Sequence, residues 1–121
     1  MTAVRYLVRD VDQSVAFYTK HLGFAVKQKF GPNMAIVTRD ELTLWLAGPG
    51  ASAARPMPDG RKPQPGGWNR FVLPVDDLAA LVARLKQQGV NFRNDIVKGP
   101  GGQQILCEDP SGNVIELFQA A

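Results

Sequence analysis

The hydrophobic residues of the first 47 positions follow two different periods. Val4, Tyr6 and Val8 alternate with other residues, and an alternation of period two predicts a half-buried β-strand. The period then lengthens to that of an α-helix, which we expect to begin near Gln13 and to end at Gly23. Alternating stretches return at residues 24–29, 34–39 and 42–47, and they predict three more strands. This segment therefore predicts a β-α-β-β-β unit.

The same order of periods begins again at Trp68. The predicted elements are a strand at residues 71–75, a helix that ends at Gly89, and strands at residues 92–98, 103–107 and 114–119. A short motif also recurs, because VRDV at residues 8–11 matches VDDL at residues 75–78. The chain therefore contains an internal repeat of one β-α-β-β-β module, with copies at residues 1–47 and 68–121.

The repeat predicts an α+β fold. A four-stranded sheet that carries one helix leaves its other face open and partly apolar, so we expect the two modules to form one curved sheet around a shared cavity, in a single domain of residues 1–121. The modules are separated by residues 48–67, of which ten of the twenty are Gly or Pro and three are cations. A loop of this length is either a linker or a lid over a binding site, and the sequence leaves both interpretations open.

Composition narrows the classes of partner. A net charge of +3 and a pI near 9.3 arise from scattered Lys and Arg rather than from a basic run, so nucleic acid is not an expected partner. No stretch approaches the ~18 consecutive apolar residues that suggest a membrane-spanning helix. The single cysteine, Cys107, lies in an apolar run and suits inert packing in a reducing, cytoplasmic setting.

The strand near the C-terminus contains a charged residue where burial is expected. Ile115 and Leu117 share one face of this strand, which we expect to point into the core. Glu116 points the other way, between two apolar neighbours on its own face. A carboxylate there is costly to bury unless a cation meets it.

Two motifs resemble one family. Residues 8–18 (VRDVDQSVAFY) with residues 22–24 (LGF) are similar to the opening of the glyoxalase / bleomycin-resistance / dioxygenase superfamily, also called vicinal oxygen chelate proteins, and residues 109–117 (DPSGNVIEL) are similar to its closing signature. The resemblance implies paired modules, often completed by exchange between two chains, and hence a homodimer. It does not fix the activity, because the superfamily includes lyases, ring-cleaving dioxygenases, thiol transferases and drug-sequestering proteins.

The resemblance also implies where a metal would bind. Enzymes of the superfamily typically hold a divalent metal with His, Glu or Gln from the first and fourth strands of each module. The corresponding positions here are Ala3, Trp45, Arg70 and Glu116. Only Glu116 is a metal donor, and Arg70 is a permanent cation that repels a dication. Their opposite charges make Arg70 the expected partner of Glu116. The sole histidine, His21, is better explained as a cation near a helix C-terminus. We therefore expect no metal and no other cofactor.

These vacated positions predict a small-molecule site. Trp45 is expected to face the cavity, because its neighbours Leu44 and Leu46 already occupy the core face. An apolar cleft with a few fixed polar groups is typical of a ligand site. The expected ligand-binding residues are Trp45, Arg70, Glu116, Trp68, Phe118, Phe30 and Arg5.

The function that follows is metal-independent binding of an antibiotic or an aromatic natural product by sequestration, as in the bleomycin-resistance branch. The alternative is a glyoxalase- or dioxygenase-like enzyme, in which Glu116 binds a divalent metal such as Zn, Ni, Mn or Fe or acts as a general base. A third possibility is a scaffold module without a ligand. The sequence leaves open the identity of the ligand, and whether the modules pair within one chain or across a dimer.

Overall fold

The computed structural model describes all residues from 1 to 121. The chain divides into two compact units, Met1–Gly66 and Gly67–Ala121. Each unit is a four-stranded mixed sheet with one α-helix, in the order β-α-β-β-β. The predicted α+β class and the predicted internal repeat are therefore confirmed, and residues 48–66 belong to the first unit.

The first unit has its helix packed against its sheet. Its elements are β1 (Ala3–Leu7), α1 (Val11–Leu22), β2 (Ala25–Phe30), β3 (Met34–Arg39) and β4 (Leu42–Ala47), followed by a short 3₁₀ turn (Ser52–Ala54). The sheet order is β1-β4-β3-β2, in which β1 and β4 are parallel and the other pairs are antiparallel. The β2–β3 pairing contains a bulge between Val26 and Gln28.

Helix α1 begins two residues earlier than the sequence predicts. Asp10 is the N-cap, and its Oδ1 accepts a 3.0 Å hydrogen bond from the Gln13 N–H. This bond satisfies one of the amide donors that a helix leaves unpaired in its first turn. Gly23 ends the helix as predicted, with a left-handed φ of 71°.

The second unit repeats this plan. Its elements are β5 (Phe71–Pro74), α2 (Leu78–Gln87), β6 (Val97–Gly99), β7 (Gly102–Glu108) and β8 (Val114–Ala120). The sheet order is β5-β8-β7-β6, with β5 and β8 parallel. Tyr18 of α1 and Leu85 of α2, which occupy matching positions in the repeat, are both fully buried.

The prediction of a strand at residues 92–98 is wrong for most of these residues, because only Val97–Gly99 pairs continuously with β7. Phe92 forms an isolated bridge with Cys107. Beyond it, the Leu106 N–H donates to the side-chain oxygen of Asn94 at 2.9 Å instead of to a backbone carbonyl. A side chain that captures a ladder donor in this way interrupts the strand.

Strand alternation separates a buried face from an opposite face in each sheet. In β4, Leu44 and Leu46 are fully buried, while Trp45 lies between them on the other face, in register with Arg5 of β1. In β8, the residue in the same place is Glu116. Neither helix is long and apolar enough to cross a membrane.

Candidate functional site

The second unit contains an ion pair between Arg70 and Glu116. Arg70 donates from Nε at 3.1 Å and from Nη2 at 2.9 Å, and both bonds end on Oε1 of Glu116. The glutamate is only 8% exposed, so the guanidinium supplies the counter-charge that its burial requires. Both bonds use Oε1, and the other oxygen, Oε2, accepts no hydrogen bond within the protein. The pair therefore leaves one carboxylate oxygen of Glu116 without a hydrogen bond, on the face of β8 opposite Ile115 and Leu117.

The position of Glu116 follows from the turn that precedes β8. The buried carboxylate of Asp109 accepts hydrogen bonds from the Ser111 N–H and the Asn113 N–H, each at 2.9 Å, and from Asn113 Nδ2 at 3.0 Å. The Asp109 N–H in turn donates to the Asn113 carbonyl at 2.9 Å. These bonds close the turn and start the strand at Val114. Because faces alternate from that point, the turn decides that Glu116 shares a face with Val114, opposite Ile115 and Leu117.

The first unit places an arginine over an indole. The guanidinium carbon of Arg5 lies 5.0 Å from the centre of the Trp45 ring, a cation–π arrangement between register partners of β1 and β4. Trp45 is half-buried, and its Nε1 is buried without a hydrogen-bond partner. A buried donor that lacks an acceptor is costly, so an acceptor brought by a bound molecule would be favourable there.

Sequence reasoning missed Arg93. Its Nε donates to Glu108 at 2.7 Å, its Nη1 to the Gly67 carbonyl at 2.7 Å, and its Nη2 to the Gly112 carbonyl at 3.0 Å. Its guanidinium also lies 4.5 Å from the ring centre of Trp68. Arg93 therefore joins the start of the second unit to the turn before β8. These partners are distant in the sequence, and the only available signal was a cation inside a predicted strand.

Trp68 connects this cluster to the ion pair. Its carbonyl accepts a 3.3 Å hydrogen bond from Arg70 Nη1, while its ring is stacked on Arg93 and is 66% exposed. Trp68 is therefore not a packed core residue, and its expected role in ligand binding stays a prediction. The Trp68 carbonyl thus helps to position Arg70, which in turn is bonded to Glu116.

The other predicted site residues lie on the same faces. Phe118 is half-buried and two residues beyond Glu116 on β8, and Phe30 is exposed at the end of β2. Trp45, Arg5 and Phe30 belong to the first unit, whereas Arg70, Glu116, Trp68 and Phe118 belong to the second. Their role in ligand binding stays a prediction.

The donor set does not fit a transition metal. Among the four positions that correspond to metal ligands, Ala3 has no donor, Trp45 offers only an N–H, and Arg70 is a cation bonded to Glu116. No group of three or more His, Cys, Asp or Glu side chains could hold a metal ion. His21 instead packs its ring edge-on against Phe17 at 5.3 Å, in the last turn of α1.

Cys107 is not suited to act as a nucleophile. Burial, reinforced by the nearby Asp109 carboxylate, raises the pKa of the Cys107 thiol from 9.0 to about 12. The thiolate is the reactive form of cysteine, and the side chain is fully buried in β7. The predicted inert packing role matches this environment.

Several known proteins are similar to this chain in sequence or in fold. Residues 1–117 match the family model described as Glyoxalase/Bleomycin resistance protein/Dioxygenase superfamily. Lactoylglutathione lyase from Agrobacterium tumefaciens is similar, with a TM-score of 0.75 and 20% identity over 98% of this chain and 92% of that chain. The genomically encoded fosfomycin resistance protein FosX from Listeria monocytogenes has a TM-score of 0.75 and 13% identity over 100% and 93% of the two chains. TnmS3, an antibiotic binding protein from Streptomyces sp. CB03234, has a TM-score of 0.68 and 25% identity over 100% and 97%. No curated protein matches the sequence.

Proposed function

Because the chain belongs to the Glyoxalase/Bleomycin resistance protein/Dioxygenase superfamily, we propose that it is a metal-independent binding protein for a planar aromatic small molecule, such as an antibiotic, and that it acts by sequestration. The observation that carries this proposal is the bonding of Arg70 to Glu116. Among the four positions that correspond to metal ligands, only Glu116 could bind a metal, and it is already bonded to Arg70. It also keeps Oε2 as an acceptor for a ligand donor. The similarity to the antibiotic binding protein TnmS3 supports the same class of function.

Trp45 supports the aromatic character of the ligand. A flat ring stacked on the indole would gain about 0.5–1.5 kcal/mol beyond its area burial. The unpartnered indole N–H favours a ligand that also carries a hydrogen-bond acceptor. Arg5, which lies over the ring and makes no ion pair in the structure, adds a positive charge beside it.

A thermal-shift screen of aromatic natural products, run with EDTA and again with added divalent metals, tests the proposal. We expect at least one compound to raise the melting temperature equally in both series, because a ligand stabilises the fold that binds it. A shift that requires metal would contradict metal independence. So would elemental analysis that finds one Zn, Ni, Mn or Fe per chain in protein purified without a chelator.

Substitution of Trp45 then tests the stacking role. Trp45→Ala removes both the ring and its buried area and should weaken binding by about tenfold or more. Trp45→Phe keeps a ring without the N–H, so a smaller loss with Phe than with Ala separates stacking from hydrogen bonding. Unchanged affinity in both variants, with folding confirmed by circular dichroism, would remove Trp45 from the site.

An enzyme is the second candidate. The specific observation in its favour is that Glu116 Oε2 accepts no hydrogen bond within the protein, so it could accept a proton as a general base does. Lactoylglutathione lyase is among the similar structures. Turnover of a bound compound that is lost in Glu116→Gln, while binding is retained, would favour this candidate over sequestration.

We also propose a homodimer. Dimers with two-fold symmetry are the commonest oligomers, and the family resemblance implies exchange of modules between chains. Light scattering at micromolar concentration should give twice the 13.2 kDa mass of the chain. A single 13.2 kDa species would contradict the proposal.

A further inference from the structure

The first unit contains a pocket at the carboxyl ends of two parallel strands. Strands β1 and β4 end side by side at Leu7 and Ala47, where the Val8 N–H donates to the Ala47 carbonyl at 2.9 Å. Loop 48–66 passes over these ends and contributes Pro49, Ala54 and Pro63 to the wall. The pocket is partly open to solvent and has a volume of about 200 Å³. A cavity of about 150 Å³ is enough to bind benzene in another protein, so a single aromatic ring fits this one.

The loop that covers the pocket has internal structure. The Gly48 N–H donates to the Asn33 carbonyl at 2.8 Å, which ties the start of the loop to the turn between β2 and β3. Further along, the Met57 N–H donates to the Arg61 carbonyl at 2.7 Å, and the Gly60 N–H to the Met57 carbonyl at 2.9 Å. A plain linker needs none of these bonds. A loop that folds back on itself and against the strand ends has the character of a binding loop.

The charges around the pocket have one sign. Two of the residues that line it, Arg9 and Lys62, are cations, and none is a carboxylate. Lys62 is exposed and makes no ion pair or hydrogen bond in the structure. The remaining wall is mostly aliphatic side chains and proline rings. Such a surface matches a small molecule with an apolar body and one negative charge, and the net charge of +3 acts in the same direction.

We propose that this pocket binds a small apolar anion, of the class of aromatic or short branched carboxylates, with the apolar part against Leu7, Ala47 and the loop prolines and the carboxylate beside Lys62. The pocket is made only of residues from the first unit, and none of them is among the predicted ligand-binding residues. The proposal therefore holds whether or not Trp45 and Glu116 bind a ligand.

Titration of the full chain with benzoate, followed by amide chemical shifts in NMR spectra, tests the proposal. We expect saturable shifts at Leu7, Ala47 and Ala54. Benzyl alcohol, which has a similar shape but no charge, should bind at least about threefold more weakly, since a partly exposed ion pair contributes a modest free energy. Shifts that do not saturate, or that are centred on Trp45 or Glu116 instead, would overturn the pocket assignment.

A pair of charge reversals in the same loop gives the matched control. Lys62→Glu should weaken benzoate about tenfold or more, because it replaces attraction with repulsion beside the carboxylate, and it should leave benzyl alcohol within about twofold. Arg55→Glu changes the net charge equally but lies outside the pocket lining, so it should alter benzoate affinity by less than about twofold. Equal losses in the two variants would show that only overall charge matters, and would overturn the assignment of Lys62. Both side chains are exposed, so neither change threatens folding.

Discussion

Replacement of Arg70 by alanine tests how the second unit is stabilised. Glu116 is 8% exposed, and Arg70 gives its Oε1 two hydrogen bonds at 3.1 and 2.9 Å. Arg70→Ala removes both donors and leaves a mostly buried carboxylate without its counter-ion. Breaking a fully buried pair costs about 3–5 kcal/mol, and a hydrogen bond to a charged group contributes about 1.5–3 kcal/mol. Because 30% of the Arg70 side chain remains exposed, we expect a loss near the lower figures, about 2–3 kcal/mol in the free energy of unfolding.

An exposed pair of the same kind provides the control. Arg61 and Asp59 approach more closely, at 2.7 Å, but their side chains are 84% and 54% exposed. Ion pairs in water contribute about 0.2–1 kcal/mol, so Arg61→Ala should cost less than about 1 kcal/mol. Urea unfolding at neutral pH measures both variants, and an unchanged m-value shows that the comparison concerns stability alone. A cost for Arg70→Ala no larger than that for Arg61→Ala would refute the role of burial.

A double-mutant cycle separates the pair from its surroundings. Glu116→Ala and the double variant Arg70→Ala with Glu116→Ala complete the cycle, and we expect a coupling energy of about 1–3 kcal/mol. The double variant should be more stable than Arg70→Ala alone, since it no longer buries an unpaired charge. Additive single effects would mean that the two residues stabilise the fold independently, and the bonds to Oε1 would then be without energetic consequence.

Three further predictions concern the same unit. Asp109→Ala should cost about 3 kcal/mol and lower the thermal midpoint, because it removes the acceptor of three hydrogen bonds in the turn before β8; a loss below about 1 kcal/mol would contradict this. Arg93→Lys keeps the charge but cannot donate hydrogen bonds to all three acceptors, so it should lower the free energy of unfolding by about 1–3 kcal/mol, measured by chemical unfolding. Unchanged stability would show that charge alone suffices. The raised pKa of Cys107 means that its thiol ionises in the unfolded chain before it does so in the fold, so stability should be complete below about pH 9 and fall as pH rises toward about 12, by up to about 1.4 kcal/mol per pH unit. Cys107→Ala should lack this component of the alkaline loss, and equal slopes in the two proteins would contradict it.

Local signals explain why the fold was predictable. Asp10 and Gly23 act within a few residues of their own helix, and the strand faces follow directly from alternation around Trp45 and Glu116. The Arg70–Glu116 contact was also predictable, although the residues are 46 positions apart. A carboxylate on a mostly apolar strand requires a cation, and the family resemblance places Arg70 at another of the four ligand positions.

The rest of the site depends on contacts that no local pattern encodes. Arg93 donates to Glu108 and to two carbonyls whose positions follow from the completed fold. The side chain of Asn94 competes for the Leu106 amide, and this competition ended a strand that hydrophobic alternation had predicted through residues 92–98. The pocket beneath loop 48–66 arises from the path of a segment rich in Gly and Pro, whose conformation is set by packing rather than by period.

The bulge in β2 has a consequence for self-association. An edge strand presents unpaired amide and carbonyl groups that can template the addition of a foreign strand, and natural proteins protect such edges with bulges and lysines. β2 is an edge strand of its sheet and is exposed along its whole length; it combines a bulge between Val26 and Gln28 with two lysines, Lys27 and Lys29. Strand-by-strand aggregation is therefore disfavoured at this edge.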